Sequence, residues 1–289
     1  MKGKSFFAVF ILLLLMSFTP GVQYQRGDVN YDGQVNIADV TCLIDYLLQD
    51  TWPNQQETVD ITVNGVSFKM VAVEGGTFLM GATGEQGSDQ EDKERPVHQV
   101  TLSSYRIGET EVTQELWLAV MGSNPSNNKD DINNPVEEVS WYDCYSFISK
   151  LNNLTGMNFR FPTEAEWEFA ARGGNKTKGF KYSGSDTINN VAWCVPNAGS
   201  KTHPVATKNS NELGLYDMSG NVMEWCGDYY GAYSSSPQTN PTGPSNANSS
   251  FRVERGGHYA SGAKNCRVSY RTYQIPENKY STVGLRLAM

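Results

Sequence analysis

The sequence predicts an α+β protein with one large domain and a small N-terminal loop-helix appendage. Its 289 residues suffice for one domain of about 220 residues plus a short extra segment. Signals for strands and for helices both occur along the chain. The 27 glycines and the aromatic content of 11% predict many turns and much irregular backbone rather than a helical bundle.

The regular elements of the large domain can be placed from local signals. Residues 61–71 alternate apolar and polar side chains around Asn64-Gly65, which predicts a β-hairpin. N-cap residues indicate three helices: Thr113 before 115–120, Ser140 with Asp143 before a run to Leu151, and Thr163 with Glu166 before 164–172. Beyond Gly173 no helix is predicted. The short apolar pieces there predict a core lined by irregular backbone, whose polar groups need side chains, water or metal as partners.

Charge and the N-terminus limit the function classes. The formal charge is −8, and no Lys/Arg cluster marks a surface for nucleic acid or anionic lipid. Lys2 and Lys4 precede an apolar run over 6–18 and then Pro20-Gly21, a pattern typical of a signal peptide over 1–23. The run is too short for stable membrane insertion. We therefore expect a secreted, cell-surface or periplasmic protein.

A calcium loop is predicted over residues 24–50. Oxygen-bearing side chains occur at the spacing of such a loop, and Gly33 permits its sharp turn. An apolar stripe at helical spacing follows, and residues 51–61 are assigned as a linker. The segment resembles one half of a dockerin module, which implies either a docking partner or a calcium-stabilised spacer. The expected ligands are Asp28, Asn30, Asp32, Gln34, Asn36 and Asp39.

A family resemblance covers residues 62–289. It is carried by seven segments in order: 74–81 (EGGTFLMG), 109–113 (ETEVT), 135–141 (PVEEVSW), 161–168 (FPTEAEWE), 214–225 (GLYDMSGNVMEW), 255–257 (RGG) and 284–287 (GLRL). Together these segments resemble the formylglycine-generating-enzyme, or sulfatase-modifying-factor, family. The resemblance implies a C-type-lectin-like fold rich in irregular structure.

The resemblance also implies a calcium site in this domain. The ligands of the family's second calcium site fall on the side chains of Asp217 and Glu224 and on the carbonyl oxygens of Gly220 and Val222. Such hard oxygen donors suit calcium. The alternative is that the two carboxylates only cap the turn.

The catalytic pattern of the family is incomplete. Formylglycine generation in this family uses oxygen and a copper(I) ion held by two cysteines five residues apart, which fall here on Ser261 and Cys266. A hydroxyl is a hard ligand and cannot replace a thiolate at copper(I), so copper is not expected. His258 and Met223 also depart from the family's pattern. A metal held jointly by His258 and Cys266 stays open as an alternative.

The remaining cysteines leave the disulfide pattern open. Five cysteines are present, so at least one thiol stays free or pairs outside the chain. Cys194 and Cys226 each follow a tryptophan and are candidates for a pair, although sequence does not give their distance.

The C-terminal segment favours binding over catalysis. It is rich in tyrosine, which offers large contact area at low entropic cost, and it resembles the variable proteins of diversity-generating retroelements. We expect a non-catalytic module that binds a protein or glycan; the alternatives are an ordinary polar surface or a working copper-dependent oxidase acting on a cysteine of sulfatases. The predicted contact residues are His258, Tyr259, Tyr270, Tyr273 and Tyr280.

Overall fold

The computed structural model describes residues 58–245 and 250–289, together with Val40. The chain divides into two units, Met1–Glu57 and Thr58–Met289. The predicted signal peptide, the six predicted ligands of the N-terminal calcium loop and Cys42 lie outside the described residues. Of the helices in the described residues, none has the length and hydropathy needed to cross a bilayer.

The described part of the second unit contains short strands, α-helices and several 3₁₀ turns. The 3₁₀ turns used below are Gly84–Asp89, Asp92–Glu94 and Ala263–Cys266. The strands are β1 Thr58–Val63, β2 Val66–Val73, β3 Gly76–Met80, β4 His98–Leu102, β5 Tyr105–Gly108, β6 Met223–Tyr229, β7 Gln238–Thr239, β8 Arg252–Arg255, β9 Arg271–Gln274 and β10 Val283–Gly284, and the helices are α1 Gln114–Met121, α2 Trp141–Thr155, α3 Glu164–Ala171 and α4 Ile188–Val191.

The predicted β-hairpin is present as β1 and β2. Val63 pairs with Val66, and the two turn residues Asn64 and Gly65 have φ values of 49° and 85°, as a two-residue hairpin turn requires. β1 begins at Thr58, before the predicted domain boundary at residue 62, because Thr58 already pairs with Val71.

The three predicted helices are present with the predicted caps. The Thr113 hydroxyl accepts a hydrogen bond from the Leu116 N–H at the start of α1. Capping boxes open the other two: Ser140 with Asp143 for α2, and Thr163 with Glu166 for α3. α3 ends at Ala171, and Gly173 just beyond it has a φ of 90°, the left-handed conformation that glycine adopts without strain.

Three small sheets organise the domain. Their strand orders are β1-β2-β5, β3-β4-β7 and β10-β6-β8-β9. The third sheet, with β10 parallel to β6 and the other neighbours antiparallel, lies entirely in the half of the chain where no helix was predicted. That half also holds α4, a single turn without a side-chain N-cap, which explains why capping signals did not reveal it.

Four completely or almost completely buried arginines connect these elements. Each forms an ion pair with a buried glutamate and also donates to backbone carbonyl oxygens. Arg286, for example, donates to the Gly108 and Tyr216 carbonyls at 2.9 and 2.7 Å. The irregular backbone therefore obtains much of its hydrogen bonding from side chains, as expected. The pairs are Arg255–Glu168, Arg267–Glu94, Arg271–Glu164 and Arg286–Glu224.

The Arg267–Glu94 pair shows how strongly such a site is held. Arg267 Nη1 lies 2.8 Å from Glu94 Oε2, and the Ser269 hydroxyl donates to the same oxygen at 2.5 Å. Burial alone would raise the pKa of Glu94, but hydrogen bonds from Arg267 and Ser269 and the Arg267 charge lower it below its usual value.

We expect Glu94→Gln to destabilise the domain at pH 7 by about 3–5 kcal/mol, because it leaves the Arg267 charge buried without its partner. Since the folded-state pKa of Glu94 is depressed, the stability it contributes is present above its unfolded pKa and is lost as pH falls through the folded pKa. The difference in the free energy of unfolding between wild type and variant should therefore become smaller at acidic pH. Chemical denaturation at several pH values measures it.

The exposed pair Lys201–Asp130, with a contact of 2.7 Å, supplies the control. Asp130→Asn should cost at most about 1 kcal/mol, because solvent screens such pairs. Equal losses for the two variants would contradict the structural role given to the buried pair.

Candidate functional site

Ser261 closes a tight turn over residues 258–261. Its N–H donates to the His258 carbonyl at 2.8 Å, and its hydroxyl accepts from the His258 N–H at 3.2 Å. Only 4% of Ser261 is exposed. Ser261, which the family resemblance aligns with a catalytic cysteine, is therefore part of the local backbone structure.

Cys266 lies at the end of the 3₁₀ turn Ala263–Cys266 and is completely buried. Its sulfur lies against the backbone of Gly257: a Cβ placed on that glycine would come within 2.7 Å of Cys266 Sγ. A hydrogen bond with Cys194, then burial, raises the pKa of the Cys266 thiol well above its usual value. A hard hydroxyl and a neutral thiol are poor donors for copper(I), so Ser261 and Cys266 do not fit that ion.

His258 offers a second donor for the alternative metal site with Cys266. Its Nδ1 accepts a hydrogen bond from the Ala260 N–H at 3.1 Å, and burial lowers its pKa to about 4. The imidazole is therefore neutral at pH 7, but one of its nitrogens is already used. Across residues 58–245 and 250–289, no group of three or more His, Cys, Asp or Glu side chains is arranged to hold a metal.

Cys194 contacts Cys266 and not Cys226. Cys194 and Cys266 are free thiols in one small buried cluster with Tyr182 and Val191, where their interaction lowers the pKa of Cys194 and raises that of Cys266. Cys226 belongs to a different hydrophobic cluster, around α3 and β4. The candidate pair of Cys194 with Cys226 is thus replaced by Cys194 with Cys266, a contact between distant segments that spacing does not reveal.

The predicted calcium turn brings Asp217 into a buried position. Asp217 Oδ2 accepts from the Ala206 N–H at 2.8 Å, whereas Oδ1 is buried without a hydrogen-bond partner. Burial raises the pKa of Asp217 to about 6. An unpartnered carboxylate oxygen in a turn is a suitable calcium donor, so Asp217 fits the predicted ion.

Glu224 fits the ion less directly. Its carboxylate accepts from Arg286 Nη2 at 2.7 Å and from Trp167 Nε1 at 2.6 Å. Both oxygens accept from Arg286 Nε as well, at 3.0 and 2.9 Å. Glu224 is thus tied to an arginine from the C-terminal strand region, a role that the turn pattern did not show.

Glu111 is a third carboxylate at this turn, and sequence reasoning missed it as a site residue. It accepts from the Val222 N–H at 3.0 Å and from Asn221 Nδ2 at 2.7 Å. Burial, then the nearby charges of Asp217 and Glu224, raise its pKa well above its usual value. Three carboxylates face one arginine here, which leaves an excess of negative charge, although the three side chains are not arranged to ligate one metal ion together. The ETEVT segment carried the signal only as part of a family pattern.

An exposed aromatic patch lies at the outer end of β8 and β9. Tyr273 is 42% exposed, and its ring centre lies 4.2 Å from that of Tyr230 and 4.9 Å from that of Phe251. The Arg252 guanidinium lies 3.9 Å from the ring centre of Trp141, which adds a cation–π contact beside the patch.

Most of the predicted contact residues reach the surface. Tyr273 and Tyr280 are exposed, and His258 and Tyr259 are half-buried. Tyr270 differs: it is 8% exposed and packs in the core beside Lys93, whose ammonium lies 4.3 Å from its ring centre. Tyr270 therefore does not belong to the contact surface, because it packs in the main core cluster immediately before β9 begins.

Comparison with known families identifies the family to which this domain belongs. The sulfatase-modifying factor enzyme 1-like domain matches residues 57–289, and the dockerin type I domain matches residues 26–67. The chain belongs to the sulfatase-modifying factor family. The dockerin match extends into β1 and β2, beyond the predicted repeat at 24–50.

Individual relatives of this family member have different names. A Paenibacillus barcinonensis protein named chaperone protein LppX is 35% identical over 71% of this chain and 83% of its own length. The formylglycine-generating enzyme of Streptomyces coelicolor is 29% identical over 75% of this chain and 88% of its own. The solved structure of Treponema denticola variable protein 1 is 35% identical, with a TM-score of 0.73 over 80% of this chain and 98% of that chain. The likeness confirms the predicted C-type-lectin-like α+β fold.

Proposed function

We propose that this family member is a secreted ligand-binding module that has lost the oxidase chemistry of the formylglycine-generating enzymes. The observation that carries the proposal is Ser261: the family resemblance aligns it with a copper-binding cysteine, and its hydroxyl is hydrogen-bonded to the His258 backbone. The raised pKa of Cys266 supports the same conclusion, since a neutral thiol is neither a good ligand nor a good nucleophile.

The oxidase assay tests this loss directly. Purified protein incubated with copper(I), oxygen and a Cys-x-Pro-x-Arg peptide should produce no aldehyde, because the pair at positions 261 and 266 has only one sulfur. Mass spectrometry of the peptide measures the product. Ser261→Cys is the matched variant that restores the second sulfur, and circular dichroism checks that both proteins are folded. Aldehyde formed by the wild-type chain would reject the proposal in favour of the oxidase.

The ligand is proposed to be a protein or glycan that contacts the aromatic patch. Support comes from Tyr273, whose large and rigid ring is exposed in the patch, and Tyr280 is a second exposed ring in the C-terminal segment. The arginine beside Trp141 adds a polar group able to orient a ligand. The similarity to a protein named variable protein is consistent with a binding surface on this fold.

A binding screen against glycan and surface-protein arrays tests this location. Tyr273→Ala should weaken any interaction at least about fivefold, since loss of an aromatic anchor in an interface costs more than about 1 kcal/mol. Leu79→Ala is the control, because Leu79 is 55% exposed but lies on β3 in a different sheet. Equal loss in both variants, or loss only in the control, would place the ligand elsewhere.

We further propose that calcium binds at two places in the chain. In the domain, Asp217 and the carbonyl oxygens of Gly220 and Val222 would hold the ion, with Glu224 and Glu111 supplying negative charge around it. Support comes from the unpartnered Asp217 oxygen and the excess of carboxylates over arginine. The second site is the N-terminal loop, which the dockerin match supports.

Calorimetric titration of the full chain should resolve these two sites. Asp217→Asn and Asp32→Asn should each remove one site and leave the other, because each deletes a charged oxygen donor. Asp228→Asn is the matched control: this buried carboxyl has a pKa raised to about 8 by burial and so carries little charge at pH 7. Unchanged binding in Asp217→Asn would assign Asp217 a capping role only.

The N-terminal repeat is proposed to dock the secreted protein onto a partner. The dockerin type I match over residues 26–67 supports this role. Deletion of residues 24–50 should release the protein from a native complex while leaving binding at the aromatic patch intact. Co-purification and size-exclusion chromatography measure this release. Retention of the truncated protein in the complex would identify the repeat as a spacer.

A further inference from the structure

The contact between Cys194 and Cys266 is a feature that the proposed function does not use. Both side chains are completely buried. The two segments that carry them are also joined by the backbone, since the Val195 N–H donates to the Ser261 carbonyl at 3.1 Å. The Asn197 side chain accepts from the Cys194 N–H at 2.9 Å and so fixes the local turn. These hydrogen bonds therefore fix the segment of Cys194 against the segment that leads to Cys266.

The surroundings of the pair are apolar. Tyr182 and Val191 complete the buried cluster, and Ile188 and Ala263 pack against it. Gly257 has no Cβ, which leaves room for the Cys266 sulfur, and its φ of 72° disfavours other residues there. The cluster contains two sulfurs and, among the described residues, no third His, Cys, Asp or Glu in metal-binding arrangement.

Among the described cysteines, the pair is distinct from the other two. Cys144 lies on α2 in the cluster around Trp117 and Phe147, and Cys226 lies on β6 in the cluster around Trp167. Burial raises the pKa of both thiols well above the usual value. Each behaves as a small apolar side chain, and neither belongs to the cluster that holds the pair.

We propose that Cys194 and Cys266 close to a disulfide as the chain folds in oxidising surroundings. The oxidant is a low-molecular-weight disulfide such as oxidised glutathione. One cysteine thiolate attacks it to give a mixed disulfide and release one thiolate; the second cysteine then attacks the protein sulfur, forms the Cys194–Cys266 bond and releases the second thiolate. Two thiols are oxidised and one disulfide is reduced to two thiols. The bond joins residues about 70 positions apart in sequence.

This disulfide would have a consequence for the proposed site. It would bind the turn after Trp193 to the segment that carries His258 and Tyr259, two of the predicted contact residues. It would also convert the remaining family cysteine into a form that cannot ligate copper. The inference goes beyond the loss of oxidase activity, because Ser261 alone accounts for that loss.

Peptide mapping of the wild-type chain tests the proposal without any variant. Protein refolded with reduced and oxidised glutathione is denatured in N-ethylmaleimide and digested without reductant. We expect one cross-linked species that contains Cys194 and Cys266 and is lighter than the separate peptides by two hydrogen atoms, with Cys144 and Cys226 alkylated. Recovery of Cys194 and Cys266 as alkylated peptides would overturn the proposal, as would a cross-link between other cysteines.

A thermal comparison provides the second measurement. Addition of dithiothreitol should lower the melting temperature of the oxidised wild type and of Cys226→Ala, which keeps the pair. Dithiothreitol should not shift the melting temperature of the Cys194→Ala/Cys266→Ala double variant. If copper(I) instead binds the wild type stoichiometrically under the same glutathione buffer and is lost in the double variant, the pair is a metal site and the disulfide is rejected. Aldehyde formation is measured in a separate assay, so the disulfide proposal and the proposed loss of oxidase activity can each fail without the other.

Discussion

The four buried Arg–Glu pairs are the constraint on which the domain depends. Each guanidinium both neutralises a carboxylate and donates to carbonyl groups that no sheet partner reaches, as Arg255 does for Ser269 at 2.9 Å. A buried ion pair by itself contributes little net stability, but removing one partner leaves an isolated charge at large cost. The irregular half of the chain is therefore held in one arrangement by the four ion pairs, and loss of either partner of a pair is strongly destabilising. With these pairs in place, short strands such as β8 and β9 are enough to complete the fold.

This constraint also explains how much of the fold could be predicted. The α1, α2 and α3 helices were predictable because their caps lie within three residues of the helix start, as with Thr163 and Glu166. The burial of Glu94 could not be predicted, because its partner Arg267 is 173 residues away and no local pattern links them. The burial of Tyr270 was missed for a similar reason, because the core cluster that covers it joins residues from distant parts of the chain.

In the candidate site, too, residues within local motifs could be predicted and residues placed by long-range contacts could not. Ser261 and Asp217 could be singled out from the sequence because each is one residue in an ordered motif. The ion pair of Glu224 with Arg286 could not be predicted, because the two residues are 62 positions apart. The position of Glu111 beside the calcium turn could not be predicted either, because Glu111 is 110 positions from Asn221. The thiol contact of Cys194 with Cys266 is of the same kind. A preceding tryptophan made Cys226 the candidate partner of Cys194, but tertiary packing places Cys226 in a different cluster.

The β8–β9 ladder shows how one scaffold can support different surfaces. At its inner end Arg255 pairs with Arg271, and both are buried on glutamates of α3. At its outer end Arg252 pairs with Gln274, and the adjoining Tyr273 is exposed. Because the inner end fixes the strands, side chains at the outer end can change with little effect on folding, as surface substitutions usually do. A domain built in this way can lose its catalytic thiolate at 261 and keep a rigid surface for binding, which is the division of roles proposed for this chain.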